Sequence, residues 1–488
     1  MKNRRTALAL GAVWLLFSAA AGERSMSTVT PQGRTVTVKA LTDNIIKVEN
    51  TAPGERIAPS LTTLADSLEA AASADASVEH AAGYSLLRTA SGTVARLDRR
   101  TGAVTIDAGS GRLLHDSGER GRDSEGRRTM ELLSGERRSY YGGGERGFNY
   151  NLAADTLVMY NRQNYGYTDG DPRIRQMNIT MPLVISPKGF AVVMDDFADA
   201  TLTTGSPLEY TSASPEAVSY YFVSSPEGFG GITEELTSLT GRQEIAPLWS
   251  LGYITSKYGY RTQSETDSVV NALRRGGYPL DGLVLDLYWY GREEDMGRLA
   301  WDPAQWPDHR RMLAALKKKG VNVTAITQPY VLVNGQGAAN YRELADRGMF
   351  GKDSVGGVKE VRIWVGEGGM LDVSNPDTRA WLRDRYRTLT DEGMGGWWGD
   401  LGEPEVHPDG MRHANGLTAR QYHNLYGNDW SRIIADLYRE EYPDRRLMTL
   451  MRGGTTGLQR YNVFPWSTDV SRSWGGLRPQ VKIMLNSG

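Results

Sequence analysis

The sequence predicts a multidomain chain in which an N-terminal β-sandwich is followed by a (β/α)8 barrel of the TIM type, with about six strand–helix units of the barrel present. The chain has 488 residues, which is more than one ordinary domain accommodates. Short alternating strands with frequent turns fill residues 28–199, as is typical of a sandwich. From about Pro247 onwards strands alternate with helices, and this alternation is typical of a parallel sheet.

The N-terminal β-sandwich domain is assigned to residues 22–225. Polar and apolar side chains alternate over residues 35–40 and again over residues 44–48, and this two-residue period predicts half-buried strands. One weaker helix is expected at residues 60–76. Residues 118–137 are rich in charged residues and glycine, and we expect an exposed loop there.

The barrel is assigned to residues 226–488, where apolar runs predict the strands and helical spacing predicts the helices. The predicted strands are residues 248–255, 281–287, 321–327, 395–401, 447–451 and 463–468. The predicted helices are residues 263–275, 310–319, 340–347, 376–390, 418–442 and 477–485. Functional residues of such a barrel lie at the C-terminal ends of the strands.

Charged side chains end four of the six predicted strands, namely Asp286, Asp400, Arg452 and Asp469. A single Asp in this position is more often the N-cap of the next helix. Here, however, Trp398 closely precedes Asp400 and Trp466 closely precedes Asp469. Cleavage of a glycosidic bond needs one carboxylate that attacks or stabilises the sugar cation and another that protonates the leaving oxygen. Two carboxylates beside aromatic walls therefore indicate this chemistry.

The composition is that of a soluble globular protein, and it excludes several classes of function. Lys and Arg total 56 against 58 Asp and Glu, so no electrostatic case for nucleic acid or an anionic membrane follows. The chain has no cysteine, which excludes thiol catalysis and disulfides. Its 12 Trp and 24 Tyr outnumber 8 Phe. Such rings suit the apolar face and polar rim of a sugar, although ordinary core packing is an equally good explanation.

The first residues have the three-part plan of a secretory signal. Lys2, Arg4 and Arg5 precede an apolar run over residues 7–17, and small residues follow at 19–21. Residues 1–21 are therefore assigned as a signal peptide, and the mature protein is expected to be secreted or periplasmic. A short membrane anchor is the alternative, but the run is too short to span a bilayer comfortably. No stable membrane insertion is expected.

Residues 396–404, GWWGDLGEP, resemble the Trp-x-Asp-Met-Asn-Glu nucleophile signature of glycoside hydrolase family 31. Four further segments resemble this family in the same order along the chain, so the resemblance extends over nearly all of the mature sequence. They are residues 141–146, 279–286, 422–426 and, with Arg452, 466–474. The resemblance implies the sandwich-plus-barrel fold and a retaining mechanism.

By this resemblance, Asp400 is the nucleophile and Asp469 the general acid/base. Asp286 and Arg452 are implied to hydrogen-bond the hydroxyl groups of the donor sugar. Weaker candidates for sugar contacts are Trp398, Trp466 and Trp301. Glu403 is expected to orient the nucleophile loop, with a second catalytic acid as the less favoured role.

No cofactor and no metal site are expected. His407 and His413 lie with Glu405 and Asp409 in one segment, but their spacing matches no reliable metal-ligand signature. They are expected to be solvated loop residues.

The sequence departs from the family signature at Leu401 and Gly402, which replace the usual Met-Asn. The resulting DLGEPE resembles the branch that transfers α-1,4-linked glucosyl units from an oligosaccharide donor to another sugar. Transfer is therefore the leading interpretation, with an α-linked gluco-oligosaccharide as donor and a sugar or water as acceptor. One alternative is an α-glucosidase or α-xylosidase, and another is an inactive sugar-binding fragment. Thr468 also replaces the glycine that more often precedes the acid/base, which adds a stiff β-branched side chain.

Family members continue well past the position of Gly488. The resemblance therefore leads us to expect a C-terminally truncated barrel without strands seven and eight, and without the late donor-site histidine. If the mechanism is retaining, the carboxyl groups of Asp400 and Asp469 should lie ~5–6 Å apart.

Overall fold

The computed structural model describes residues 19–109, 111–134 and 139–487. The signal-peptide prediction falls largely on residues 1–18, which lie outside the described residues. Ala19–Ala21 form a short strand that pairs with Ala76–His80. In the part of the chain that the structure describes, no helix is long and apolar enough to cross a membrane.

The N-terminal half consists almost entirely of strands, as the alternating sequence predicts. The strands are β1 (Ala19–Ala21), β2 (Ser25–Val29), β3 (Thr35–Ala40), β4 (Ile45–Thr51), β5 (Ala76–His80), β6 (Tyr84–Thr89), β7 (Val94–Asp98), β8 (Val104–Ala108), β9 (Gly111–Arg122), β10 (Arg128–Leu133), β11 (Tyr141–Gly144), β12 (Thr156–Met159), β13 (Thr180–Ser186), β14 (Phe190–Met194), β15 (Ala200–Thr204), β16 (Leu208–Ser212) and β17 (Tyr220–Ser224). The helices of this half are α1 (Ala65–Ala71) and α2 (Gly228–Thr240).

These strands form two antiparallel sheets that pack face to face. One sheet has the order β1-β5-β6-β7-β8-β9-β10-β16-β15-β12, and the other has the order β11-β13-β14-β17-β4-β3-β2. Buried apolar residues from both sheets form one core between them. The predicted β-sandwich is therefore confirmed.

The side chains of strand β14 alternate between two hydrophobic clusters, one on each face of its sheet. Phe190, Val192 and Met194 point into the sandwich. Ala191 and Val193 point to the opposite face, where they pack with residues of α1 and α2. The strand is buried on both sides for this reason, and α2 is tied to the N-terminal sheet.

One local prediction for this half is wrong, and another is right in position but too long. Within the described residues, the predicted loop at 118–137 is instead the hairpin of β9 and β10, in which exposed Glu131 lies between buried Met130 and Leu132. The predicted helix at 60–76 is only seven residues long. It ends where Ala72 adopts a left-handed backbone with φ 51°, and before it the Ser60 hydroxyl donates to Asp195. A side-chain bond of this kind competes with a helical backbone.

The C-terminal half alternates strands and helices. Its strands are β18 (Tyr253–Thr255), β19 (Leu280–Leu285), β20 (Asn322–Thr327), β21 (Tyr330–Leu332), β22 (Glu360–Ile363), β23 (Gly366–Met370), β24 (Gly396–Gly399), β25 (Thr449–Met451) and β26 (Val463–Pro465). Its helices are α3 (Gln263–Arg275), α4 (His309–Lys318), α5 (Ala338–Asp346), α6 (Pro376–Asp391), α7 (Ala419–Tyr422), α8 (Tyr426–Glu441) and α9 (Trp474–Ser487).

Six of these strands form a parallel sheet in the order β18-β19-β20-β24-β25-β26. The prediction of six parallel strand–helix units of a barrel is thereby confirmed. The other three strands form a small antiparallel sheet, β21-β23-β22, which the sequence reading missed. All six parallel strands run the same way, so their carboxyl ends meet at one face of the domain.

Two predicted elements of this half differ from the structure. In the predicted first strand at 248–255, Leu248–Leu251 form a 3₁₀ turn and only Tyr253–Thr255 pair with β19. Its leucines are exposed rather than packed in the core, so apolarity alone misled the prediction. The single helix predicted at 418–442 is broken between α7 and α8, where Asn424 turns its side chain towards the N-terminal domain and donates to Met159.

Candidate active site

The charged residues predicted at strand ends all lie at the carboxyl face of the parallel sheet. Asp286 directly follows β19, Asp400 follows β24 and Arg452 follows β25. Asp469 lies four residues beyond the end of β26. Asp286 also accepts the backbone N–H of Leu287 at 2.7 Å and caps a 3₁₀ turn. Asp286 is therefore both the cap of this turn and a residue at the carboxyl face of the sheet.

A cavity of about 360 Å³ opens at this face. It brings together six of the eight residues predicted for the site. Its lining comprises Tyr165, Tyr258, Asp286, Leu287, Trp364, Trp398, Asp400, Leu401, Glu405, Arg452, Trp466 and Asp469.

The two remaining predicted residues do not line this cavity. Glu403 is buried beneath it, in contact with Arg452. Trp301 lies in the core, where its ring stacks on His309 at 4.8 Å and packs against Trp289 at 5.5 Å. The loop after β19 that carries Trp301 folds towards the core. The local sequence does not predict this path.

Among the described residues, Arg452 is the only cation that lines the cavity, and it is almost fully buried. Its Nη1 lies 3.1 Å from Asp400 Oδ1, and its Nη2 donates to Glu405. Its Nε lies 2.8 Å from Glu403 Oε1 as an ion pair, although the angle falls short of a hydrogen bond. Burial alone would lower the pKa of Arg452, but the three carboxylates raise it well above its ordinary value. The guanidinium therefore remains charged and holds three acidic groups in place.

Four carboxyl groups in and beneath the cavity have a raised pKa and so hold their protons more strongly than free carboxyl groups do. Burial raises the pKa of Asp400 to about 6, with Arg452 opposing the rise. Burial likewise raises the pKa of Asp286 to about 7, and the charges of Asp400 and Asp469 add to this. Burial also raises the pKa of Asp469 and brings the pKa of Glu403 to about 7. Carboxyl groups poised near neutral pH are suited to proton transfer and nucleophilic attack.

Aromatic side chains form the walls and the rim of the cavity. Trp398 and Trp466 meet edge to face, with ring centres 4.8 Å apart. At the rim, Tyr165, Tyr258 and Trp364 are each about half exposed. Their exposed faces can stack against sugar rings.

The sequence analysis did not predict Glu405 or the three aromatic rim residues as members of the site. Trp364 lies in the turn between β22 and β23, and its Nε1 donates to Glu293 at 3.3 Å. Tyr165 comes from the N-terminal half, and its hydroxyl donates to Glu405 at 2.5 Å. Tyr165 and Glu405 also line a neighbouring cavity of about 490 Å³. An aromatic residue in a polar turn is a weak local indication that Trp364 belongs to the site. The local sequence gives no such indication for Tyr165.

The prediction that both histidines are solvated is wrong for His413, which is buried, whereas His407 is partly buried. Both belong to one chain of rings. His423 Nε2 lies 2.9 Å from the carbonyl of Asn161, and its Nδ1 lies 3.2 Å from His407 Nδ1. His407 Nε2 then lies 2.8 Å from His413 Nε2, and His413 Nδ1 lies 3.1 Å from Asp372. Within the described residues, no group of three His, Cys, Asp or Glu is arranged to hold a metal ion.

The chain of rings needs one hydrogen more than three neutral imidazoles supply. Each of its four contacts needs one hydrogen, and three neutral imidazoles carry only three. The fourth hydrogen belongs to the pair of His413 and Asp372, whose Nδ1 and Oδ1 lie 3.1 Å apart. Burial alone would raise the pKa of Asp372, but the hydrogen bond and charge of His413 lower it below its usual value. Burial lowers the pKa of His407 well below its usual value and that of His423 to about 4, so these two rings remain neutral.

Both halves of the chain match family models. Residues 243–488, half of the chain, match the TIM-barrel domain of glycosyl hydrolases family 31. Residues 35–202 match the N-terminal galactose mutarotase-like domain of glycosyl hydrolase 31.

Individual proteins resemble the chain over most of its length. It is 27% identical over 429 residues to Alpha-glucosidase 2 of Bacillus thermoamyloliquefaciens, covering 85% of this chain and 54% of that protein. In fold it is similar to a GH31 dextranase of Flavobacterium johnsoniae complexed with glucose, with a TM-score of 0.86 at 19% identity over 97% of this chain and 59% of that one. A cycloalternan-forming enzyme from Listeria monocytogenes, in complex with a pentasaccharide substrate, gives a TM-score of 0.81 at 17% identity over 96% and 47% of the two chains. The chain thus spans about half the length of these proteins.

Proposed function

Because the chain belongs to glycosyl hydrolase family 31, we propose that it is a retaining enzyme acting on α-linked gluco-oligosaccharides, with Asp400 as nucleophile and Asp469 as general acid/base. The observation that carries this proposal is the gathering of both carboxyl groups in one aromatic-walled cavity with Asp286 and Arg452.

The first step forms a covalent intermediate. A carboxylate oxygen of Asp400 attacks the anomeric carbon while the bond from that carbon to the leaving oxygen breaks. Asp469 gives its proton to the leaving oxygen, so the departing sugar leaves as a neutral alcohol. The product of this step is a β-linked glycosyl ester on Asp400.

The second step releases the glycosyl group with its original α configuration. The carboxylate of Asp469 takes a proton from an incoming hydroxyl group, whose oxygen attacks the anomeric carbon. The ester bond to Asp400 breaks, and both side chains return to their starting states.

The electrostatics of the site support these roles. Asp400 must be ionised to attack, and the guanidinium of Arg452 opposes the rise of its pKa. Asp469 must carry a proton at the start, and burial raises its pKa. Asp286 and Arg452 face the same cavity and would hydrogen-bond sugar hydroxyl groups.

Transfer to a second sugar is the favoured reaction, with an α-1,4-linked glucosyl donor. Three half-exposed aromatic residues at the rim support this, since they offer stacking surface beyond the donor site. Hydrolysis as an α-glucosidase is the second candidate, and its support is the similarity to Alpha-glucosidase 2.

The two catalytic roles are tested with a glucosyl donor whose leaving group departs without protonation. Asp469→Ala should complete the first step and stall in the second, and azide, which needs no base, should restore turnover and yield the α-azide. Asp400→Ala should lose several orders of magnitude in activity, and any azide product should be the β-anomer. Asp409→Ala, in an exposed position on the same loop, is the matched control and should behave as the unaltered chain.

The opposite pattern of azide anomers would show that the two roles are reversed. Incubation with maltotriose then separates the reactions: longer oligosaccharides indicate transfer, and accumulating glucose indicates hydrolysis. Sugar binding without any turnover would leave only the binding role.

A further inference from the structure

The loop that carries Asp469 is held by residues of the N-terminal half rather than by the barrel strands alone. The residues that hold it lie in the clamp segment, defined as residues 164–178, which connects β12 and β13. Four of its residues bond backbone or side-chain groups of residues 466–471. These four are Asn164, Gly166, Tyr167 and Asn178.

The contacts follow the loop residue by residue. Asn178 Nδ2 donates to the carbonyl of Trp466 at 2.7 Å, and the Tyr167 hydroxyl donates to that of Ser467 at 2.7 Å. The backbone N–H of Gly166 donates to the carbonyl of Asp469 itself at 2.7 Å. The clamp segment therefore fixes the backbone on both sides of the Asp469 side chain.

Thr468 shows that this loop needs to be held. Its backbone has φ +68°, a left-handed conformation that is costly for a β-branched residue. Its hydroxyl donates to the carbonyl of Asn164 at 3.4 Å. Such a conformation persists only where the surroundings over-determine it, and the clamp segment supplies those surroundings.

Tyr167 is the central residue of the clamp segment. Its ring is fully buried in a small apolar cluster with Ile174, Met177 and Ile483. Its hydroxyl accepts from Gln480 Nε2 of α9 at 2.9 Å while it donates to Ser467. One oxygen thus joins the N-terminal half, the acid/base loop and the last helix.

We infer that Tyr167 is a positioning residue for the general acid/base, and that it sets the direction of the Asp469 carboxyl group through the backbone at Ser467. The inference rests on the proposed role of Asp469. It predicts that loss of the Tyr167 hydroxyl weakens proton donation to the leaving group more than it weakens attack by Asp400.

The test compares two donors that differ only in the leaving group, an aryl glucoside that leaves without protonation and maltose, which requires it. In Tyr167→Phe, kcat/KM for maltose should fall about tenfold, whereas that for the activated donor should change by less than about twofold. Gln480→Met removes the partner of the Tyr167 hydroxyl and also the acceptor of the Ser467 hydroxyl, so it should shift the ratio of kcat/KM between the two donors in the same direction. In the Asp469→Ala background, Tyr167→Phe should change neither value further.

Tyr210→Phe is the matched control, because this buried tyrosine in β16 also donates a hydrogen bond, to Asp196 at 3.0 Å. Tyr210→Phe should leave the ratio of kcat/KM between the two donors unchanged. If Tyr167→Phe lowers kcat/KM for both donors by the same factor, as Tyr210→Phe would through a loss of stability alone, the positioning role is overturned. If Asp469→Ala itself shows no selectivity between the donors, or the unaltered chain turns over neither, the proposed function fails and the inference with it.

Discussion

Arg452 Nη1 lies 3.1 Å from Asp400 Oδ1 in the floor of the cavity. The same guanidinium contacts Glu403 and Glu405. One buried cation therefore faces three carboxylates, and its loss would leave several buried acidic groups without a counter-charge.

Replacement of Arg452 should move the acid limb of the pH profile. Arg452 lowers the pKa of Asp400, which lies at about 6, so Arg452→Met should shift the acid limb of kcat/KM to higher pH. It should also cost about 3–5 kcal/mol of stability, since it uncovers buried charge. Arg452→Lys should give a smaller shift, and Arg275→Met, which removes an exposed cation of α3, should give none. An acid limb that moves to lower pH would contradict the assignment.

Trp364 should contribute to binding of the sugar beyond the donor site. Trp364→Ala removes an exposed ring at the rim, and it should raise KM for maltotriose by about tenfold, or about 1.4 kcal/mol, with a smaller change in kcat. The control is Trp474→Ala, which removes an exposed ring from α9 outside the cavity lining. Equal KM values for both variants would exclude Trp364 from substrate binding.

Stability should fall in acid because of His423. Burial lowers the pKa of His423 from 6.5 to about 4, so the unfolded chain binds this proton more readily than the folded chain. The contribution is fully present above pH 6.5 and is lost as the pH falls towards 4, and it amounts to about 3 kcal/mol. Urea unfolding of His423→Gln should show a weaker pH dependence in this window. Curves that remain parallel to those of the unaltered chain would contradict this.

We propose that the chain is exported and cleaved near Gly22. The basic residues at 2–5 and the apolar run at 7–17 motivate this. Cleavage there would remove β1 and leave β5 as the edge of the ten-stranded sheet. N-terminal sequencing of exported protein should begin near Gly22, and an intact Met1 on a cytosolic protein would disprove the proposal.

The positions of Asp286, Asp400, Arg452 and Asp469 could be predicted because a general rule connects them. The carboxyl ends of parallel strands meet at one face, so residues that end different strands converge even when far apart in sequence. The strand boundaries needed to be right only to within a few residues for this argument to hold.

The rim could not be predicted, because its residues lie outside the strand–helix repeat. Tyr165 reaches the cavity from the N-terminal half, and Trp364 reaches it from the small sheet inserted between β20 and α6. Their places depend on how separate elements pack, which local pattern does not encode. The same holds for His407 and His413, because the polar sequence around them does not indicate that their rings contact each other.

The hydrogen bond from Tyr167 to Ser467 joins residues 300 positions apart, and this separation has a consequence for biosynthesis. At about 5–20 residues per second, ribosomes would take roughly 15–60 s to make the intervening chain. The sandwich can fold during that interval, since strands from β1 to β17 supply its two sheets. The Tyr167 hydroxyl can bond to Ser467 only after that residue has been synthesised, and closing so long a loop is slow. Catalytic competence should therefore appear late in the maturation of each molecule, well after most of its secondary structure has formed.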